Sequence, residues 1–484
     1  SMFDIAKARA HVSPVPLAFV ASLVLSLIAV AGTVTVGKDA AHYLDVARQA
    51  LDHGPAVAFQ FFNWPWFPLL LAATHAFLGV PLELAAYLWC ALLMAGTCAL
   101  MVAISQRLVV GSGYWACLVV LSIPACNHLR YDIIREFGFW FFCTLALWLA
   151  LDWLERGGWW RAVAVQAAIA AAALFRLEAV FLFAALTLCL LPKYRVRRIW
   201  LKLLQINALP LLALLAVLFL LLAGQEFAQP RVLHFLSLLD PRNFVARFEL
   251  MAGDFAHAAL QKNAADDARL IVLFGLPLTL LSKFLTLCGP LALPLLYRGS
   301  WPAFGDYWRK LRPLAWAWFL YFGILLLFFI QEHFVNPRYV SFLNLLAVPL
   351  LSIALLHFAG HFPRLARLLV ALTMLVMLHN VISLAAKKTH YLEAGAWISQ
   401  HTAPSDPIYY EDSRLAYYAG RGYPFMPVTR AQAMSGENSP TYRYFVIVAK
   451  PDDPAVRLWL AQQKKRILGQ FANRKGDAVL VVGD

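Results

Sequence analysis

Long apolar runs recur along most of the chain, and short polar segments separate them. A helix needs about 20 apolar residues to cross a bilayer, and only a regular helix satisfies its backbone hydrogen bonds there. The pattern therefore predicts an all-α polytopic membrane protein with about eleven spans of this length. We place the spans at 15–36, 81–105, 113–128, 133–153, 161–175, 178–192, 203–224, 270–297, 314–331, 338–357 and 367–386.

Two of the connections between spans are long, 37–80 and 225–269. The first opens with GKDAAHYLDVARQALDHG, which reads as a polar helix over 40–53. It continues as FNWPWFPLLLAATHAFLGV, which suits a helix along the membrane interface with Trp64 and Trp66 at headgroup depth. The second mixes aromatic residues with both charges, a pattern that predicts amphipathic helices.

The C-terminal part of the chain has a different pattern. THYLEAGAWISQHT and DPAVRLWLAQQKKR read as helices, whereas DPIYYED, YRYFVIVAK and DAVLVVGD read as strands. We therefore predict a membrane domain over 1–386 and a small α/β domain over 387–484.

Composition agrees with a membrane protein, since 61% of the residues are hydrophobic and only 14% are charged. The net charge of +14 is better explained by cytoplasmic loops and contact with anionic lipids than by nucleic acid. All seven cysteines lie in apolar stretches without CxxC spacing. Neither a disulfide framework nor a cysteine metal site is therefore expected.

The distribution of lysine and arginine predicts the orientation. If the N-terminus with Lys7 and Arg9 is cytoplasmic, the dense basic clusters PKYRVRRIWLK and HFPRLAR fall in cytoplasmic loops, as the positive-inside rule requires. An odd number of spans then places the C-terminal domain in the periplasm, outside a bacterial inner membrane. We expect Met2 to be the native start, and the first apolar run to be retained as a helix because no small-residue cleavage site follows it.

Several charged residues break this rule, because they occur where spans meet the outer face. They are Lys38, Asp39, Arg130, Asp132, Arg135, Glu136, Arg176, Glu178, Glu332, His333 and Arg338. Ionisable groups at membrane depth are usually paired or functional. One interpretation is ion pairing between helix ends, such as Arg176 with Glu178. The other is an anion site, because the lysine and the arginines leave an excess of positive charge that a lipid phosphate would balance.

This arrangement resembles the GT-C glycosyltransferases, in the branch of the protein mannosyltransferases and the lipid A aminoarabinose transferase. Asp39-Ala40-Ala41-His42-Tyr43 keeps the Asp and Tyr of that branch's Asp-Glu-x-Arg-Tyr-like motif, with Ala40 and His42 replacing its Glu and Arg. NPRYVSFLNLLAVPLL looks like its Arg-Tyr segment. NWPWFPLLL stands in the place of its Lys-Pro-Pro-Leu-like stretch, without the lysine.

The resemblance implies transfer of a sugar from a polyprenyl-phosphate donor to an acceptor hydroxyl, usually with inversion, on the periplasmic side. The acceptor would be an envelope glycan, lipid or protein, and we expect neither a metal nor another cofactor. Asp39 is the candidate general base. The candidates for binding the donor phosphate are Lys38, Arg130, Arg176 and Arg338, with Tyr43 and Tyr339 as hydrogen-bond donors. The candidates for orienting the sugar or the acceptor are Asp132, Glu136, Glu178 and His42.

Alternatives remain at two levels. Asp39 could serve only as an N-cap, and we expect Asp45, Arg48 and Asp52 to form the solvated face of its helix. Asp132 and Glu136 are expected one helical turn apart, and the sequence does not choose between them. For the whole chain, the main rival is a transporter or flippase of a lipid-linked saccharide; an O-antigen ligase or polymerase and a non-catalytic scaffold are the others.

Overall fold

The computed structural model describes residues 12–484, so the predicted cytoplasmic position of Lys7 and Arg9 lies outside the described residues. Within them, six helices are long and apolar enough to cross a membrane, or up to eight if each of two bent pairs is one span. The six are Pro14–Ala31, Leu82–Leu108, Glu136–Arg156, Lys262–Leu296, Arg312–Glu332 and Pro363–Val381. The chain is thus a multi-pass, mainly α-helical membrane protein, as predicted.

The bent pairs are Arg197–Ile206 with Ala208–Leu222, at 62°, and Pro337–Leu346 with Val348–His361, at 60°. Each second helix has a proline in its first turn, Pro210 or Pro349. Proline has no N–H to donate to the carbonyl four residues earlier, so the hydrogen-bond ladder breaks at that point.

The three remaining predicted spans fall on shorter helices: Gly113–Ser122, Trp159–Phe175 and Phe181–Leu190. Pro124 ends the first, because the residue before a proline avoids the helical region. Ile123 accordingly has φ −65° and ψ 141°, and the short helix Pro124–Asn127 follows. The other two are separated by Arg176, whose backbone is extended, and by a 3-10 turn.

Both long connections are helical. The first holds Lys38–His53, Ala58–Phe61 and Trp66–Leu78. The second holds Pro230–Leu239 and Pro241–Ala259. The span Lys262–Leu296 consists of the α-helix Ala268–Cys288 with a 3-10 turn on each side. The helix Pro302–Lys310 follows it. The 3-10 turns before the C-terminal part are Pro55–Val57, Leu177–Val180, Leu191–Lys193, Lys262–Asp267, Gly289–Leu296 and Arg298–Ser300.

The chain divides into two compact units. One contains 12–28, Leu88–Arg130 and Arg135–Ile382, and so holds most of the apolar helices. The other contains Ala29–Tyr87, Tyr131–Ile134 and Ser383–Asp484, so the C-terminal residues share a unit with most of the first long connection. We call these the helical unit and the mixed unit.

The mixed unit contains a four-stranded sheet. Its strands are β1 (Ile408–Tyr410), β2 (Tyr444–Ile447), β3 (Arg466–Ala472) and β4 (Ala478–Gly483), in the order β1-β2-β4-β3. β1 and β2 are parallel, and the other neighbours are antiparallel. The accompanying helices are Thr389–His401, Ser413–Tyr418, Arg430–Ala433 and Pro454–Gln463, with a 3-10 turn at Ser439–Thr441.

Successive side chains along a strand point to opposite faces of the sheet, and both faces are covered by other side chains. Val446 and Val481 pack on one face beneath the helices Thr389–His401 and Ser413–Tyr418. Phe445 and Val482 pack on the other against Trp459. All three predicted strands and both predicted helices are confirmed. β3 was not predicted, because its first residue lies within the basic end of the predicted helix. In the structure that helix ends earlier, at Gln463, and Lys464 after it adopts a left-handed φ of 54°.

Candidate active site

The helix Lys38–His53 presents Lys38 and Asp39 in its first turn, and both side chains are exposed. Gly37 occupies the N-cap position and has no side chain to form a cap. The alternative that Asp39 is the N-cap is therefore wrong, because Asp39 is the second residue of the helix. A carboxylate in the first turn of a helix interacts favourably with the helix dipole.

Asp45, on the same helix, is buried, so its predicted place on the solvated face is wrong; Arg48 and Asp52 are exposed as expected. Burial raises the pKa of Asp45, opposed by a hydrogen bond that its carboxylate accepts from the backbone N–H of Tyr423. Helical spacing alone could not reveal this contact, because Tyr423 lies far away in sequence.

The segment before this helix is held by the C-terminal residues. The backbone N–H of Val36 donates to Tyr418 Oη at 2.7 Å, and its carbonyl accepts from Arg414 Nη1 at 3.2 Å. Both partners lie on the helix Ser413–Tyr418. Two hydrogen bonds thus fix the backbone immediately before Gly37 and set where the helix with Lys38 and Asp39 begins.

The side chain of Asp132 lies beside Gly37. It precedes the helix that begins at Glu136, so the expectation that the two acids lie one helical turn apart is wrong. Asp132 Oδ1 accepts from the backbone N–H of Ile133 at 2.8 Å. A β-carbon added to Gly37 would lie 2.8 Å from the same oxygen, so only glycine allows this approach without displacement.

A cavity of about 610 Å³ opens at the first turn of the helix. Its polar lining comes from both parts of the mixed unit: Lys38, Asp39, His42, Glu411, Asp412, Ser413 and Tyr423. Phe61, Pro424, Phe425 and Met426 supply apolar surface, and the Phe425 side chain is 88% exposed. The cavity therefore combines a cation, carboxylates, hydroxyls and an exposed aromatic ring.

Asp412 is held by an ion pair. Its carboxylate accepts from Arg414 Nη2 at 2.8 Å and from Tyr391 Oη at 3.0 Å, and both partners are buried. Burial alone would raise the pKa of Asp412, but the hydrogen bonds and charge of Arg414 outweigh it and hold that pKa below its ordinary value. Glu411 is similarly engaged, by Arg430 at 3.6 Å and by the backbone N–H of Val448.

Two aromatic residues of the cavity region have distinct environments. Burial, together with the charges of Asp412 and Asp39, raises the pKa of Tyr423 to about 12, so its phenol stays protonated and can donate a hydrogen bond. Its ring centroid lies 5.6 Å from that of His42. Tyr43, predicted as a phosphate ligand, is instead buried with its ring against Phe62 and Phe67 and is not part of the cavity lining.

A second polar cluster lies in the helical unit around Arg176. Its Nη1 is 2.5 Å from Glu136 Oε1, and its Nη2 is 2.8 Å from Glu178 Oε1. The interpretation of Arg176 and Glu178 as an ion pair is therefore correct, and Glu136 completes a triad. The three side chains are almost fully buried. Removing one of them would leave a buried charge without its partner, which is strongly destabilising.

The helix Pro337–Leu346 adds a second arginine to this cluster. Arg338 Nε lies 3.3 Å from Glu136 Oε1, so one carboxylate oxygen serves two guanidinium groups. The ring of Tyr339 contacts both cations, with its centroid 4.5 Å from Arg176 Cζ and 5.4 Å from Arg338 Cζ. The positive charges of the two arginines are balanced by the negative charges of the two glutamates. The buried Arg135 also interacts electrostatically with Glu178.

Arg130 belongs to a different network in the same unit. It is buried and donates to Ser22 Oγ, to Ser26 Oγ and to Asn127 Oδ1 at 2.7–2.9 Å. Within the described chain, none of its hydrogen bonds reaches another predicted site residue. The arrangement indicates that Arg130 ties the first span to the Pro124–Asn127 turn.

The structure thus groups the predicted residues into two sets. The mixed unit brings Lys38, Asp39 and His42 to one cavity, and the helical unit brings Glu136, Glu178, Arg176, Arg338 and Tyr339 to one cluster. Sequence reasoning missed Asp412, Ser413, Arg414 and Tyr423. The polar run EDSR directly after a buried strand was the available signal, because strand ends often carry functional side chains.

Residues 12–484 contain no group of three or more His, Cys, Asp or Glu side chains that could hold a metal ion.

No family model matches the chain, and no curated protein matches it. Among solved structures, the chain is similar to the crystal structure of ArnT from Cupriavidus metallidurans in the apo state, with 16% identity, a TM-score of 0.45 and 97% of each chain covered.

Proposed function

We propose that this protein is a membrane glycosyltransferase that moves a sugar from a polyprenyl-phosphate donor to an acceptor hydroxyl. The proposal depends most on one observation: Lys38 and Asp39 line a cavity of about 610 Å³ together with hydroxyl and aromatic groups of the C-terminal residues. In this proposal, the reaction occurs on the periplasmic side of a bacterial inner membrane. The acceptor is an envelope glycan, lipid or protein.

Asp39 is the proposed general base. The acceptor hydroxyl gives its proton to the carboxylate as its oxygen attacks the anomeric carbon, and the bond from that carbon to the phosphate oxygen breaks. A single displacement of this kind inverts the configuration. Asp412 and Glu411, the other carboxylates of the cavity, are bound to Arg414 and Arg430, and those ion pairs maintain the structure around the site.

The phosphate leaves with the bonding electrons, so the enzyme must stabilise negative charge more than supply a proton. Lys38 provides one cation at the cavity. Arg176 and Arg338 converge on Glu136, and the guanidinium fork of an arginine suits bidentate contacts with phosphate oxygens. We assign Arg176, Arg338 and Tyr339 to the donor phosphate, with Glu136 and Glu178 positioning the arginines.

One observation favours the rival function, a transporter of a lipid-linked saccharide. Transporters often carry broken helices, and two helix pairs here are bent by about 60°. Both breaks coincide with a proline in the first turn of the second helix, which is a sufficient local cause. The two functions make different products, so one experiment separates them.

The experiment reconstitutes the full-length protein in liposomes with a radiolabelled polyprenyl-phosphate sugar and candidate acceptors. We expect covalent transfer of the label by the wild type and by Asp52→Asn, a control that removes an exposed carboxylate from the other end of the same helix. Asp39→Asn should lose transfer. Movement of the intact donor between leaflets without covalent transfer would contradict the proposal and favour a transporter.

A further inference from the structure

A second cavity lies in the helical unit, where several helices end together. Its volume is about 370 Å³. The lining comes from the C-terminal ends of the helices Glu136–Arg156, Phe181–Leu190 and Pro302–Lys310, from the 3-10 turn Leu191–Lys193, and from the helices Arg197–Ile206 and Arg312–Glu332. None of its residues was assigned to the proposed reaction.

The cavity is strongly basic. Its charged lining residues are Lys193, Lys202, Arg309, Lys310 and Arg312, against the single carboxylate of Glu155. Arg309 pairs with Asp306, and Glu155 pairs with Arg107. Among the described residues, no carboxylate lies within ion-pair distance of the other four cations. The cavity therefore concentrates positive charge that no carboxylate of residues 12–484 pairs with.

The hydrogen bonds of these cations leave donors available. Lys202 Nζ and Lys310 Nζ each donate to one backbone carbonyl at a helix end, that of Leu154 and that of Leu108, at 3.0 Å. An ammonium group has three donor hydrogens, so each can still bind a ligand. Arg312 Nε is buried and finds no acceptor among the described residues. A buried donor without an acceptor is rare and calls for an oxygen ligand.

The surroundings indicate the depth of the cavity in the membrane. Exposed aromatic side chains border the same helix ends: Tyr194 at 50% and Trp200 at 59%. Such residues collect at the headgroup level of a bilayer. Leu201 and Leu204, beside Lys202 on the helix Arg197–Ile206, are also exposed and offer an apolar surface for acyl chains.

We propose that this cavity binds the phosphate headgroup of an anionic phospholipid from the adjacent leaflet. Basic pockets between helix ends suit such headgroups. Arg312 and Lys193 contact the phosphate oxygens, while Lys202 and Lys310 contribute charge and remain bound to their carbonyls. The ligand is a lipid and not free phosphate, because the cavity opens beside apolar and aromatic surface that only a lipid would cover.

The test titrates the detergent-purified full-length protein with dioleoyl-phosphatidylglycerol or with dioleoyl-phosphatidylcholine and counts bound lipids by native mass spectrometry. Phosphatidylglycerol should bind at least about tenfold more tightly, since it keeps its charge-assisted hydrogen bonds without a competing headgroup cation. Arg312→Gln should weaken that binding by about tenfold or more, the effect of one charged hydrogen bond. The matched control is Arg198→Gln, an exposed arginine in the same region that does not line the cavity.

Two further measurements distinguish a lipid from free phosphate and check that each variant is folded. Excess inorganic phosphate should not displace the lipid; binding of phosphate alone with no lipid retained would overturn the lipid assignment. Lys193→Gln repeats the test at a second, exposed residue, and the thermal unfolding midpoint in the absence of lipid checks each variant. Equal affinity for both lipids, or equal losses in Arg312→Gln and Arg198→Gln, would overturn the proposal.

Discussion

Replacing Arg414 with methionine tests how the C-terminal residues hold the site. Arg414 makes an ion pair with Asp412 at 2.8 Å, and both side chains are less than 10% exposed. It also donates to the carbonyl of Val36 at 3.2 Å. Arg414→Met therefore leaves a buried carboxylate without its cation and releases the backbone before Gly37.

The expected cost is large. Breaking a buried ion pair by removing one partner typically destabilises a protein by about 3–5 kcal/mol. The double variant Arg414→Met/Asp412→Leu should recover most of that loss, because no uncompensated charge remains. Tyr418→Phe removes only the hydrogen bond to the Val36 amide, so it should cost about 1 kcal/mol.

Hydrogen–deuterium exchange of the full-length protein measures this effect where it occurs. The amides at 36–45 should exchange about 100-fold faster or more in Arg414→Met, because a 3 kcal/mol loss in local stability is about two powers of ten. They should exchange at nearly the wild-type rate in the double variant, which keeps the hydrogen bond from the Val36 amide to Tyr418 Oη. Exchange within about twofold of wild type in Arg414→Met would refute the argument that Arg414 anchors this segment.

Three further results are expected. The pKa of Asp412 is held below its ordinary value of 3.8, so its ion pair stabilises the fold above that pH. The free energy of unfolding should therefore fall as the pH drops below 3.8. Acid unfolding curves of Asp412→Asn should lack this fall. Gly37→Ala should displace Asp132 and cost about 1 kcal/mol, measured by thermal unfolding, and a neutral result would show that Asp132 moves freely. Arg338→Ala should weaken donor binding by about tenfold in a filter-binding assay, whereas unchanged affinity would remove its phosphate role.

The sequence was sufficient to predict a polytopic α-helical membrane protein, because long apolar runs identify membrane-spanning helices. It also predicted the C-terminal sheet, since Phe445–Ile447 and Val479–Val482 are buried on both faces and form continuous apolar runs. Local signals were weaker where spans are interrupted. Pro124 shortened one predicted span, and the extended backbone at Arg176 separated two others.

The candidate site was only partly predictable, because it depends on contacts between distant segments. Lys38 and Asp39 could be found from their position after a span. Asp45 could not be placed, since its burial depends on the loop at Tyr423. Asp412 and Arg414 could not be placed either, since Arg414 lies 378 residues after Val36 and no periodicity indicates that it reaches that residue.

The measurement that tests the account most directly is the single-turnover rate of sugar transfer with donor already bound. If Asp39 is the general base, Asp39→Asn should lower this rate by about 100-fold or more while the donor dissociation constant changes by less than about twofold. Asp52→Asn should match the wild type in both quantities. A wild-type rate in Asp39→Asn, or a loss explained entirely by weaker donor binding, would contradict the proposal that Asp39 removes the acceptor proton.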